Sequence, residues 1–220
     1  MFDLWADQWR RRNARGDVIL VRFADDYVAG FEHRGDAERF LADLRDRFAK
    51  FGLELHPDKT RLIEFGRFAA ERHKARGVRK PETFEFLGFT HICAKDRHGR
   101  FKLKRVTSKK KMRAKLHAVK AELRRRMHHP IPDQGRWLAR VLRGHYNYYA
   151  VPDNSQALRG FREQVLRYWR RTLARRSQRG RITWERARRL ADRWLPQPRI
   201  RHPWPDVRFD ARTQGRSPVR

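Results

Sequence analysis

One cysteine, Cys93, stands among 220 residues, so no disulfide can form within the chain, a usage that fits a reducing cytosol. No run approaches the roughly 18 consecutive apolar residues that a membrane-spanning helix needs. The N-terminus has no secretory apolar segment, because Asp3, Asp7, Gln8 and Arg10 to Arg12 interrupt it. His91 with Cys93, and the pair His128-His129, lack the second Cys-x-x-Cys arm that a structural zinc site requires. Acidic residues are scarce too, and unevenly so. Residues 1–60 hold 11 Lys/Arg against 12 Asp/Glu, whereas residues 61–220 hold 44 against 13.

What is present is positive charge and aromatic bulk. The formal net charge is +30, and 7 Trp with 14 Phe are enough to fill a core. Charge of that size repels itself in a compact state. A polyanion relieves the repulsion, and nucleic acid is the polyanion expected here. An anionic membrane surface is the weaker alternative. The nearly neutral first segment and the cationic remainder suggest a catalytic edge followed by a nucleic-acid grip.

The pattern predicts alternating elements. Residues 1–15 read as a helix end carrying Phe2, Leu4, Trp5 and Trp9. After the Gly16-Asp17 turn, residues 18–23 and 27–32 read as paired strands. Asp36 is the expected N-cap of a helix carrying Phe40, Leu41, Leu44, Phe48 and Phe51, with Gly52 as its stop. Leu53 to Leu55 reads as extended, Leu62 to Phe65 as a short strand, and residues 66–81 as a loop. Phe84 to Ala94 and Phe101 to Val106 read as a hairpin about Asp96-Arg97-His98-Gly99. From Thr107 onward basic amphipathic helices follow. The first carries Met112, Leu116, Val119, Leu123 and Met127, capped by Thr107 or Ser108. Others carry Leu138 to Tyr149, Leu158 to Leu173, and Trp184 to Trp194 behind Thr183. The expected architecture is α+β: residues 1–106 hold antiparallel hairpins and a helix, 107–205 form a helical bundle, and 206–220 are a basic tail.

The chemistry centres on Phe23-Ala24-Asp25-Asp26, where two carboxylates crowd the junction of two apolar strands. Adjacent like charges repel, and a cation relieves that cost. Mg²⁺ suits carboxylate and phosphate oxygens, and two such ions clamp the oxygens of a phosphoryl transfer. Alternation forbids both side chains from pointing one way unless the turn bends. Asp25 is expected to face the cleft, with Asp26 as a lesser ligand. On its own, Asp-Asp between strands is equally an ordinary polar turn.

Two later motifs remove that ambiguity: Gly52-Leu53-Glu54-Leu55-His56-Pro57-Asp58-Lys59-Thr60, then Phe86-Leu87-Gly88-Phe89. In this order and spacing the three resemble the reverse transcriptases encoded by group II introns, the intron maturases. Phe23 stands where the family usually has Tyr. The resemblance continues to about residue 205 through Leu142-Arg143-Gly144-His145-Tyr146-Asn147-Tyr148-Tyr149, Trp169, the Arg175 to Arg181 run, Trp184 and Leu195-Pro196. It implies RNA-directed DNA synthesis with a two-Mg²⁺ site, coupled to intron splicing and mobility. It implies a partial reverse-transcriptase palm in 1–106 and a maturase-specific, thumb-like domain in 107–205. Asp25 and Asp26 become catalytic metal ligands. Lys59 lies near the template–primer backbone, and Phe86, Leu87 and Gly88 belong to a hairpin steadying the primer end.

The expected partners are group II intron RNA and an RNA template with a DNA primer. Lys109, Lys110, Lys111, Arg124, Arg125, Arg143, Arg170, Arg171, Arg175 and Arg176 are the expected phosphate contacts. Tyr146 and Tyr148 are candidates for stacking on unpaired bases, with the core as the competing place for at least one tyrosine of this run. The family needs a further palm aspartate and a fingers region before the acidic pair. Only 24 residues precede Asp25, and Asp3, Asp7 and Asp17 sit in no apolar strand pattern. The chain is therefore expected to be the C-terminal half of such an enzyme, inactive as a polymerase by itself. Truncation, a pseudogene product and a split protein all fit. The other functional class open to it is a non-catalytic RNA-binding module. Loss of an upstream palm would bare one face and edge of the hairpin sheet, so a partner chain or aggregation is expected.

Overall fold

The computed structural model describes residues 2–78, 80–176 and 182–204. These carry seven helices and two small antiparallel sheets, a mixture of α and β. Two compact units divide at Glu82/Thr83, earlier than the change of sequence texture at Thr107. No helix of the described residues is long and apolar enough to cross a membrane. The 206–220 tail and residues 177–181 of the arginine run lie outside the described residues.

The first unit is a helix–hairpin–helix sandwich. Helix α1 (Phe2–Asn13) and helix α2 (Arg34–Ala49) pack on one face of the β1 (Val18–Phe23) and β2 (Asp26–Phe31) hairpin. Strand alternation sends Leu20, Ala29, Phe31 and Tyr27 into that core, where Trp9, Phe40 and Leu44 close it. Trp9 donates through Nε1 to the Asp43 carboxylate at 2.6 Å. Helix α2 ends as its glycine suggests. Gly52 adopts φ +65, its N–H donates to Ala49 O, and Leu53 N–H reaches back to Phe48 O.

Three expectations in this unit need correction. Asp36 is not the N-cap: His33 holds that position, and Asp36 lies buried in the first turn. Its carboxylate instead accepts from Arg15 N–H (2.7 Å) and Gly16 N–H (3.3 Å) and pairs with Arg39. Those partners, the Arg15 N–H foremost, hold it below the usual carboxylate range despite burial. Its contribution to stability is therefore present above that range and lost as pH falls through the lowered value. Leu62 to Phe65 forms no strand, since Glu64 N–H donates to the Glu82 carboxylate rather than to a neighbouring strand. The expected loop 66–81 contains a helix, α3 (Ala69–Ala75). Only Ala69 and His73 of α3 face inward, and a stripe of one Ala and one His leaves no hydrophobic period to read.

The second unit joins a three-stranded sheet to four helices. Strands β3 (Phe84–Phe86), β4 (Phe89–Lys95) and β5 (Phe101–Thr107) pair in that order. The strand expected over Phe84 to Ala94 is thus broken in two. Leu87 and Gly88 have φ of +49 and +75, the paired positive values of a two-residue hairpin turn. Ser108 caps helix α4 (Lys109–Arg125), accepting from Lys111 N–H at 3.5 Å. Helices α5 (Ile131–Tyr149), α6 (Ser155–Ala174) and α7 (Trp184–Trp194) follow, the last capped by Thr183 as its sequence suggests. Leu123, Leu138, Leu142, Leu158, Phe161 and Trp169 form the centre of their core. Asn154 staples sheet to helices: its Oδ1 accepts from Thr107 N–H, and its Nδ2 donates to Thr107 Oγ1 and Tyr149 O.

His145 lies in this core, its ring stacked 3.9 Å from that of Phe161 and its Nε2 without a partner. Burial, helped by the charge of Lys115, lowers its pKa from 6.5 to about 4. The unfolded chain takes up this proton near 6.5, the folded one only near 4. Stability therefore drains as pH falls through that window, by about 2–3 kcal/mol from this group. Denaturant melts at pH 7 and pH 4.5 should show His145→Phe losing less stability than the parent, by that amount. Equal losses would place the ring in a wetter site than described.

Candidate catalytic hairpin and nucleic-acid surface

The β1–β2 register pairs Phe23 with Asp26, leaving Ala24-Asp25 as a two-residue loop. Ala24 takes φ +54, a left-handed value that costs a non-glycine residue about 1–2 kcal/mol. The tight turn places Asp25 at the tip. Asp26 is the first residue of β2 and shares a sheet face with Phe23. Both carboxylates are exposed, and neither has an ion-pair partner among the described residues. That face carries Ile19, Val21 and Phe23 at 54, 48 and 62% exposure, the opposite of the face covered by α1 and α2. So the acidic pair borders an uncovered apolar strip, and β1 and β2 have no further strand partner among the described residues.

The earlier acids do not complete a metal cluster. Asp3 receives two hydrogen bonds from Arg22, at 2.8 and 2.6 Å, and Arg22 also donates to Ala24 O. Asp7 pairs with Arg10 and Arg11. Asp17 lies at the far end of the hairpin, where its carbonyl accepts from Glu32 N–H. Among the described residues no three His, Cys, Asp or Glu side chains gather as a metal site. Asp25 and Asp26 have the chemistry of Mg²⁺ ligands, but two adjacent carboxylates are a partial set. Lys59 sits exposed in the turn after His56-Pro57.

The Phe86-Leu87-Gly88-Phe89 turn is clamped from within the second unit. Tyr148 donates through its hydroxyl to Leu87 O at 2.8 Å, and Ser108 N–H donates to Gly88 O at 2.9 Å. Phe89 packs against the rings of Tyr148 and Tyr149 at 5.7 and 5.2 Å. A Cβ on Gly88 would stand 2.8 Å from the Tyr149 hydroxyl, at a φ that only glycine adopts freely. Gly88→Ala should therefore cost about 1–2 kcal/mol, read as a lowered denaturation midpoint. An unchanged midpoint would mean that the clamp is loose.

The basic residues separate into two kinds. Lys109, Lys110, Lys111, Arg124, Arg143, Arg171 and Arg175 are exposed. Arg125 is exposed as well but lies 3.5 Å from Glu122. Arg170 and Arg176 have structural partners: Arg170 donates to Ile182 O and covers the Trp184 ring at 4.3 Å, and Arg176 donates to His128 O and His129 O. Tyr146 has no solvent face. It is fully buried, its hydroxyl donates to Pro196 O, and burial pushes its pKa up to about 12. Its place is the core, not a base stack. Tyr148 is half exposed, so its ring braces the turn and keeps one free surface. Sequence reasoning missed this bracing role of Tyr148 and Tyr149, because it depends on a contact across about 60 residues that no local pattern signals.

Residues 1–91 match the family model of reverse transcriptase (RNA-dependent DNA polymerase). The matched stretch contains the acidic hairpin and Lys59 and ends within β4. It supports a reverse transcriptase relationship for that stretch. No curated protein matches the chain.

Proposed function

We propose that this chain supplies the acidic hairpin and an RNA-gripping helical unit of a group II intron reverse transcriptase/maturase. The observation that carries this is the acidic pair itself, held without ionic partners among the described residues at a strained turn inside the family match. The ordered motifs Gly52 to Thr60 and Phe86 to Phe89 support the group II subtype, as does the cationic helical unit that follows them. Asp25 and Asp26 would hold Mg²⁺, which supplies charge neutralisation at the oxygens exchanged in nucleotidyl transfer. The family resemblance calls for a further carboxylate, which a strand added at an open edge of the hairpin would supply beside the uncovered Ile19-Val21-Phe23 strip. The phosphate-bearing partners are an intron RNA and a template–primer duplex. Helix α4 supports this: its first turn holds Lys109, Lys110 and Lys111 and no acid, where the helix dipole favours negative charge.

The test is primer extension on an RNA template in Mg²⁺. The chain is assayed alone and together with a polypeptide carrying the fingers and first palm strand of a related reverse transcriptase. DNA is expected only from the combination. Product from the chain alone would refute the need for an added carboxylate. RNA binding without product in either arm would favour a binding-only module.

A further inference from the structure

A groove of about 700 Å³ lies between α5 and α7 in the second unit. Its α5 wall is built by residues 133, 136, 140 and 143, whose spacing of three, four and three puts them on one helical face. From Arg136 to Arg143 that face runs about 10 Å. The α7 wall supplies Arg193 and Trp194, and Arg126 and His129 lie at one end. Among the described residues one carboxylate lines the groove, Asp133, and it is already paired with Arg136. Arg126 is held by Glu122 at 2.7 Å. Arg140 and Arg143 are exposed and have no ion-pair partner among the described residues.

Trp194 organises this wall. A Cβ on Gly135 would lie 2.5 Å from Trp194 Cγ, so the glycine lets the indole seat directly on α5. The guanidinium groups of Arg136 and Arg193 stand 5.9 and 5.4 Å from its ring. Five arginines thus line the open channel, and with Arg126 held by Glu122 and Arg136 by Asp133, Arg140, Arg143 and Arg193 keep no ion-pair partner among the described residues. Mutual repulsion favours an anion there, and a face about 10 Å long reaches beyond a single phosphate to its neighbour on the same strand.

We propose that the α5–α7 groove is a track for an RNA phosphate backbone, bound by Arg140 and Arg143 with Arg136 and Arg193 set beside them by Trp194. The proposal rests on the RNA-gripping reading above and gives it a place. Arginine suits the task, because its planar fork can donate two hydrogen bonds to one phosphate.

The test is fluorescence anisotropy of the full chain with a labelled 20-nucleotide RNA of mixed sequence, from 50 to 200 mM salt. Arg140→Gln/Arg143→Gln is compared with Arg159→Gln/Arg167→Gln, which removes equal charge from the exposed side of α6. The groove variant should reduce the slope of log affinity against log salt by about 1–2 and weaken binding about tenfold or more at 100 mM salt. The α6 variant should change both far less, and Arg140→Lys/Arg143→Lys should restore most of the slope. Thermal melts confirm that each variant folds. Equal losses in the two Gln variants, or no loss in the groove variant, would overturn the groove while leaving RNA binding intact. Failure of the parent chain to bind RNA at 50 mM salt would instead overturn the RNA-gripping reading. Selective loss of binding to polyglutamate, with RNA binding unchanged, would assign the groove to an acidic protein and overturn the proposal.

Discussion

With Mg²⁺ held as proposed, Asp25→Ala is expected to lower primer extension by the chain combined with a fingers and first-palm polypeptide at least about 10²–10³-fold, the several kcal/mol that loss of such a ligand would remove from transition-state stabilisation. RNA binding and thermal stability should stay near the parent values. Asp25 is exposed at the loop tip, and no ion pair of the described residues involves it. Its removal therefore leaves no buried partner unsatisfied, and the loss reads on chemistry rather than on folding. In the isolated chain the same substitution should reduce the Mn²⁺-induced paramagnetic broadening of amide signals from residues 23–28. Undiminished synthesis by the variant would move the metal site away from this hairpin. A fall in stability that tracks the fall in activity would make Asp25 a turn residue only.

The second large effect lies far from any chemistry. Gln134→Leu should destabilise the second unit by about 3–5 kcal/mol, a substantial part of a domain's total stability. Gln134 is fully buried on α5, and its amide serves four groups. The two N–H groups of Nε2 are shared among Arg126 O, Met127 O and His129 O, while Oε1 accepts from Trp169 Nε1 at 2.8 Å. One side chain thus satisfies the carbonyls where the chain leaves α4 and the indole N–H of a buried tryptophan on α6. Leucine keeps most of the volume and none of the hydrogen bonds. Unpaired buried groups cost more than made bonds gain, so Gln134→Leu combined with Trp169→Phe should recover about 1–2 kcal/mol against the sum of the single changes. Strict additivity in denaturant melts would show that the indole N–H reaches water.

How much of this was legible beforehand depended on how local the cause was. Helices α4 to α7 announced themselves because their buried faces repeat every three or four residues; Thr183 marked the start of α7 and Gly52 the end of α2, while the structure chose Ser108 over Thr107 as the cap of α4. The acidic hairpin was legible because six residues on each side pair in simple register around a two-residue loop. Helix α3 was not, since its inward positions are an alanine and a histidine. Asp36 has the composition of a cap and the environment of a buried anchor, and only the return of Arg15 and Gly16 against it distinguishes the two. Tyr146, Tyr148 and Tyr149 look alike in sequence, yet the first is core and the others brace a turn about 60 residues away.

The amino-acid sequence by itself determined the cationic character of residues 61–220, the acidic hairpin and its order relative to the later motifs, and most helix boundaries. These follow from composition and from side-chain periods of two and 3.6, which act over a few neighbours. Tertiary structure alone decided which arginines are exposed and which cap a carbonyl, that Gln134 ties the end of α4 to Trp169 in the helical core, and that Ile19, Val21 and Phe23 flank the carboxylates uncovered. Those outcomes depend on which distant backbone atoms come within hydrogen-bonding or van der Waals reach. Such a relation is fixed by packing of whole elements and leaves no period in the chain.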